Sequence, residues 1–188
     1  MNIGSAAPSS AEATFRERLA QVDHPDVLEL GTLRWEADRP THHQSWAPHA
    51  GHYVKSDIAA GVDVDIVADA HDLTDVFAPR SFDALIAVSV FEHLARPWIA
   101  ADQIATIVRP GGVILIATHQ TFPLHGYPHD YFRFSTEALQ VLFAPPAWST
   151  LTAGYAYPCT IEPPRDVTRW NRAAQSFLNV EACFLREG

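Results

Sequence analysis

Short apolar runs, each closed by a glycine or a carboxylate, constrain this chain more than any other feature. Asp26-Val27-Leu28-Glu29-Leu30-Gly31, His52-Tyr53-Val54-Lys55-Ser56-Asp57 and Val64-Asp65-Ile66-Val67-Ala68-Asp69 each have the length and apolar content of a strand emerging into a loop. Ser81 to Ser89 and Val113 to Thr118 are near-continuous apolar runs, the mark of strands covered on both faces. Helical spacings lie around them. Ala11 to Val22 carries Phe15, Leu19 and Val22 behind the capping candidates Ser9 and Ser10. Pro97 to Val108 repeats Ile99, Ile104 and Ile107 and is stopped by Arg109-Pro110-Gly111-Gly112. A short helix from Ser135 to Phe143, a further helix over Asn171 to Leu178, and late strands over Trp148 to Tyr157 and Val180 to Leu185 complete the reading. Arg34 to Gly51 has weak periodicity and admits at most a short helix.

Strands alternating with helices predict an α/β, Rossmann-like fold: a mostly parallel, seven-stranded sheet with helices on both faces. A length of 188 residues with 47% hydrophobic and 19% charged residues suits one globular domain over 1–188. Its expected parts are an N-terminal helix in 1–25, a ligand-binding core over 26–143 and C-terminal strands over 144–188.

Charge and composition narrow the partners. Thirteen Lys and Arg against 22 Asp and Glu leave a net charge of −9, which disfavours a phosphate backbone, so no nucleic-acid partner is expected. No apolar run reaches the roughly 20 residues that span a bilayer, so no membrane partner is expected either. Cys159 and Cys183 have no metal-type spacing, and a reducing cytoplasm is the expected setting.

In a doubly wound sheet the ligand lies beyond the carboxyl ends of the strands, where strand order reverses. Glu29 and Gly31, Asp57, and Asp69 fall at such ends. A carboxylate after the second strand suits the hydroxyls of a ribose, and a glycine after the first admits close backbone approach. The combination points to an adenosyl group. The order VLELG, YVKSDI, VDIVADAHDL, SFDALIAVSVFEHL, IVRPGGVILIATH then resembles the class I S-adenosylmethionine-dependent methyltransferases, most specifically through Glu92-His93-Leu94 followed by Arg109-Pro110-Gly111-Gly112.

That resemblance implies S-adenosylmethionine as cofactor, with Glu29, Gly31 and Thr32 near its methionine part. It puts Asp57 on the ribose, Ile58 over the adenine, Asp69 and Ala70 at the adenine edge, and Ser89 and His93 beside the sulfonium and the substrate. The chain departs from the family pattern at Gly31-Thr32-Leu33-Arg34-Trp35, where Leu33 and Trp35 replace glycines. The same stretch lacks the G-x-G-x-x-G of a nicotinamide-dependent oxidoreductase. A non-methylating protein that keeps the fold is the other rival. The segment ATHQTFPLHGYPHDYFRFSTEAL is similar to one in a subset of the family found near sugar-modifying enzymes.

The segment His119 to Phe134 is expected to overhang the reacting centre, with His119, His129, Tyr131 and Arg133 on a small-molecule substrate, and His93 or His125 as a general base. Asp130, Tyr131 and Arg133 equally suit a loop lock. Spacings among His42, His43, His119, His125 and His129 match no compact ligand template, so no metal is expected. Trp35, Trp46 and Phe122 read as core or pocket wall. The pocket is expected from the 34–51 loop, the 119–133 segment and the 159–168 stretch. It stays open or is closed by a partner subunit, a homodimer being the expected form of the second.

Overall fold

A computed structural model describes residues 9–126, 128–162 and 174–188. The chain runs α1 (Ser10–Leu19), β1 (Asp26–Leu30), β2 (His52–Asp57), β3 (Ile66–Val67), β4 (Phe82–Val88), α2 (Pro97–Ile107), β5 (Val108–His119), α3 (Thr136–Leu142), β6 (Trp148–Ile161) and β7 (Ala174–Arg186). The seven strands form one sheet in the order β3-β2-β1-β4-β5-β7-β6. β1 to β5 pair in parallel, while β7 runs antiparallel to both β5 and β6, so the sheet is mixed.

Side-chain parity on the strands divides the core into two layers. Leu28, Leu30, Leu85, Ala87, Ile114 and Ile116 pack on one face with Ala100, Ile104 and Ile107 of α2 and Leu139 of α3. Val27, Ala84, Ile86, Val113 and Leu115 pack on the other with Ala11, Phe15 and Leu19 of α1. The caps follow the sequence reading: the Ser9 hydroxyl accepts the Glu12 N–H at 3.1 Å, and the Ser135 hydroxyl accepts that of Ala138 at 3.2 Å.

Three expectations are corrected. α2 stops where expected, at Ile107, but β5, expected from Val113, begins at once at Val108, so Arg109-Pro110-Gly111-Gly112 lies inside the strand. The Arg109 guanidinium bridges Asp26 at 2.8 Å and Asp83 at 2.6 Å, stapling the starts of β1 and β4. A Cβ at Gly112 would meet the Arg109 and Asp83 carbonyl oxygens at 2.8 and 2.9 Å, so this staple needs glycine beside it. Ala174 to Leu178, expected as helix, belongs to β7, where pairing with β6 overrides a spacing that suits either state; Asn171 to Ala173 lie outside the described residues. The third strand shrinks to Ile66–Val67.

The crossovers from β1 to β2, β2 to β3 and β3 to β4 contain no α-helix, only short 3-10 turns at Gln44–Trp46 and Leu73–Asp75. Polar ties hold these connections instead. Arg34 pairs with Asp63 at 2.7 Å, Lys55 lies 3.8 Å from the same carboxylate, and the Thr32 hydroxyl donates to the Asp63 carbonyl at 2.8 Å.

Candidate active site

Parallel pairing of β1 to β5 brings their carboxyl ends to one edge, and the order reverses between β1 and β4. Gly31 follows β1 at φ +78°, and Ser89 follows β4 at φ +54°. A non-glycine residue in the left-handed region is strained, and exposed Ser89 is held there by its N–H donating to the Ala117 carbonyl at 2.8 Å. A Cβ on Gly31 would lie 2.5 Å from Val90 Cγ2. We expect Gly31→Ala to cost about 2 kcal/mol through left-handed strain and overpacking, with Val90→Ala in the same chain recovering only the packing part, as read by urea unfolding.

The glycine-poor loop is fixed by backbone bonds rather than by glycine conformation. Gly31 and Thr32 N–H groups donate to the Ser56 carbonyl at 2.8 and 3.2 Å, and the Leu33 N–H donates to Asp57 Oδ2 at 3.0 Å. Asp57 Oδ1 accepts the Ala59 N–H at 3.2 Å. A carboxylate has about four acceptor positions, so each Asp57 oxygen retains one beyond these bonds. Ile58 beside it is exposed.

Glu29 and Thr32, placed by sequence against a methionine moiety, both have protein partners. Glu29 is 2% exposed and accepts the His43 N–H at 2.9 Å, His43 Nδ1 at 2.7 Å and the Tyr53 hydroxyl at 2.5 Å. Burial, then the charge of Glu29, pushes the Tyr53 phenol far above its ordinary value. Thr32 is fully buried, its hydroxyl turned to the 61–63 turn. Asp69 accepts the His71 N–H at 2.9 Å and His71 Nδ1 at 2.6 Å; burial raises its pKa, but these bonds outweigh burial and hold it below the usual range. Ala70 is buried next to it. Trp35, expected in the core or a pocket wall, is 64% exposed.

Imidazoles gather at the ends of β4 and β5. Glu92, in the 3-10 turn Phe91–His93, is fully buried; its Oε2 accepts the Thr118 hydroxyl at 2.6 Å. Its Oε1 lies 3.0 Å from His119 Nε2 and 3.7 Å from His93 Nε2, yet has no hydrogen-bond partner among the described residues. The His125 ring sits 4.9 Å from that of His93 and 5.1 Å from that of His119. His93 Nδ1 donates to the His129 carbonyl at 2.5 Å, and His125 Nδ1 to that of Pro123 at 3.1 Å. Carbonyls only accept, so in both neutral rings Nε2 is the basic nitrogen. Burial holds the His119 imidazole below its ordinary pKa despite the Glu92 carboxylate.

The loop that carries His125 is tied at several points. Arg133, expected on substrate or in a loop lock, donates to Asp130 at 2.5 and 2.8 Å and to the carbonyls of Phe122, Pro123 and Phe132. The bond to Arg133, followed by that from the His125 N–H, holds the Asp130 carboxyl well below the usual range. Tyr131 and Phe132 N–H groups donate to the Glu92 carbonyl at 2.8 and 3.2 Å. Phe122 stacks on His119 at 4.0 Å, while the His129 and Tyr131 side chains are exposed. Sequence spacing missed Glu92 as a site residue; its signal is an acid one turn after a buried strand, beside His93.

A family model described as a methyltransferase domain matches residues 44–116. Among solved structures, a SAM-dependent methyltransferase from Archaeoglobus fulgidus is 14% identical, with 93% of this chain and 92% of that one covered at a TM-score of 0.64. The Burkholderia thailandensis 1,6-didemethyltoxoflavin-N1-methyltransferase, solved with 1,6-didemethyltoxoflavin and S-adenosylhomocysteine, is 12% identical over 94% of this chain and 76% of that one, at 0.64. A Haloferax volcanii complex between the Trm112 methyltransferase activator and a methyltransferase is similar at 16% identity, with 92% of this chain and 88% of that one covered, at 0.59. No curated protein sequence matches the chain significantly. Strand order, antiparallel β7 and these likenesses agree: the chain has the fold of the S-adenosylmethionine-dependent methyltransferases.

Proposed function

We propose that this protein, acting as one domain, transfers the methyl group of S-adenosylmethionine to an oxygen or nitrogen of a small acceptor, a sugar or natural-product intermediate. The reading rests on Gly31, Asp57 and Ser89 standing at strand ends around the β1/β4 reversal, with the imidazoles of His93 and His125 along the same edge. When bound, the cofactor supplies an electrophilic methyl group on a sulfonium.

The residues present fit such a ligand. Gly31 offers backbone approach without a Cβ, Asp57 keeps acceptor positions for ribose hydroxyls, and Ile58 presents apolar surface for the adenine. Asp69 and Ala70 follow at the end of β3 for its edge. His93 or His125, with Nε2 basic, takes the acceptor proton, and His119, His129 and Tyr131 contact the acceptor. Most of the acceleration then comes from holding acceptor and methyl in line. The thiols of Cys159 and Cys183 are unpaired, as suits a cytoplasmic setting. A homodimer through the open face belongs to the same reading.

Calorimetry with S-adenosylhomocysteine and with NAD tests it. We expect micromolar binding of the first, none of the second, and at least about tenfold weaker binding in Asp57→Ala through loss of a charge-assisted bond. One observation favours the non-methylating alternative: Leu33 N–H already occupies one position on Asp57, and a Cβ at Gly61 would lie 2.3 Å from Leu33 Cδ1, so the loop is tightly seated. Absence of binding by S-adenosylhomocysteine selects that alternative.

A further inference from the structure

We infer that Glu92, His119 and His125 form a binding site for a divalent transition ion of the zinc class. One ligand atom from each lies within 4.8 Å of the others, and Glu92 and His119 are already 3.0 Å apart. Zinc bonds of about 2.0–2.2 Å put tetrahedral ligand atoms about 3.4 Å apart, so a modest rotation of the His125 side chain, its backbone N–H held by Asp130, closes the shell.

The second observation is the state of Glu92. Its side chain is fully buried, and Oε1 points among imidazole nitrogens without a hydrogen bond. A buried carboxylate oxygen left this way is costly unless a cation completes it. Outer partners also match a metal site, where the far nitrogen of each imidazole is held by an oxygen. His119 Nδ1 meets Asn179 Oδ1 at 3.2 Å, and His125 Nδ1 meets the Pro123 carbonyl at 3.1 Å and Asp130 Oδ2 at 3.5 Å. Thr118 fixes the other oxygen of Glu92 at 2.6 Å. Nε2 is therefore the ligand atom of both rings.

Two imidazoles with one carboxylate favour zinc and its neighbours over magnesium or calcium, which take oxygen shells. Three protein ligands leave an open position, and His93, with Nε2 3.7 Å from Glu92 Oε1, borders it and, with His125 Nε2 on the ion, is the ring of the two that takes the acceptor proton. On the methyl-transfer reading, on which this role alone depends, that position takes an acceptor hydroxyl and lowers its pKa.

The test is calorimetric titration of the chelator-stripped full chain with zinc chloride, with visible absorption of the cobalt(II) form and melting curves for folding. Expected are one equivalent of zinc, ligand-field bands with cobalt, no comparable binding of magnesium, and at least about tenfold weaker zinc binding in His119→Ala, His125→Ala and Glu92→Gln. The exposed His52→Ala keeps wild-type affinity. His125→Ala, on a partly exposed loop residue, decides if the buried variants unfold. No saturable zinc binding, or binding unchanged in His125→Ala, overturns the site. Zinc binding without S-adenosylhomocysteine binding leaves it standing and defeats the methyl-transfer reading alone.

Discussion

Glu29→Ala is expected to destabilise the protein by about 3 kcal/mol, the cost of leaving buried donors without their anion. The His43 N–H, His43 Nδ1 and the Tyr53 hydroxyl all converge on this carboxylate, which is 2% exposed. His43 lies in the long connection between β1 and β2, whose only turn of regular structure is Gln44–Trp46, and Glu29 anchors its middle, between the Thr41 hydroxyl bonded to the Leu33 carbonyl at 3.1 Å and buried Ala47. Glu29→Gln keeps one acceptor and should lose less. Urea unfolding measures the loss, and limited proteolysis of native protein should show new cleavage between 41 and 47. A change within about 1 kcal/mol for Glu29→Ala would be the ordinary effect of a surface substitution and would refute the anchoring role.

Phe91→Ala carries the second large effect, about 3–5 kcal/mol for emptying a fully buried aromatic position. Phe91 is 0% exposed and packs on Phe143 at 5.7 Å and Phe134 at 6.4 Å. It also begins the turn that carries Glu92, whose carbonyl holds the Tyr131 and Phe132 amides. Hydrogen exchange should therefore quicken at those amides more than at the β1 amides. Phe91→Leu, which keeps most of the volume, should cost less than half as much. Equal exchange changes at both places would show that the turn and the loop are not coupled through this ring.

The centre of the parallel sheet was legible because β4 and β5 are covered on both faces and so read as near-continuous apolar runs; β1 and β4 fall within a residue or two of their sequence bounds. Helix starts were legible through Ser9 and Ser135, whose capping is local chemistry. The second half of β7 was legible as Val180 to Leu185, but its first half was not, since Phe177 and Leu178 satisfy a helical spacing as well as a strand, and only pairing with β6 chooses. Arg109 read as a helix stop, whereas its partners Asp26 and Asp83 come from distant strands.

At the site, Gly31 and Asp57 were legible as strand ends, but Glu29 shows the limit of that logic. Position in the strand fixes where a carboxylate starts, and the partner that claims it is a fold-level fact. The histidines look scattered in sequence because Glu92 and His119 sit at the ends of adjacent parallel strands, a proximity that linear spacing cannot contain.

The hairpin of β6 and β7 continues past the end of β5: pairing with β5 stops at His119 and Asn179, but β6 and β7 remain paired to Ile161 and Ala174. At its root, the Leu178 carbonyl accepts the Gln120 and Thr121 amides, and Gln120 Oε1 accepts the Ser176 hydroxyl at 2.8 Å. The ribbon is thus tied at its root to the two residues that follow His119. The part of β6 and β7 beyond β5 therefore shares its anchorage with the chain that leaves His119, and a substitution at one is expected to register at the other.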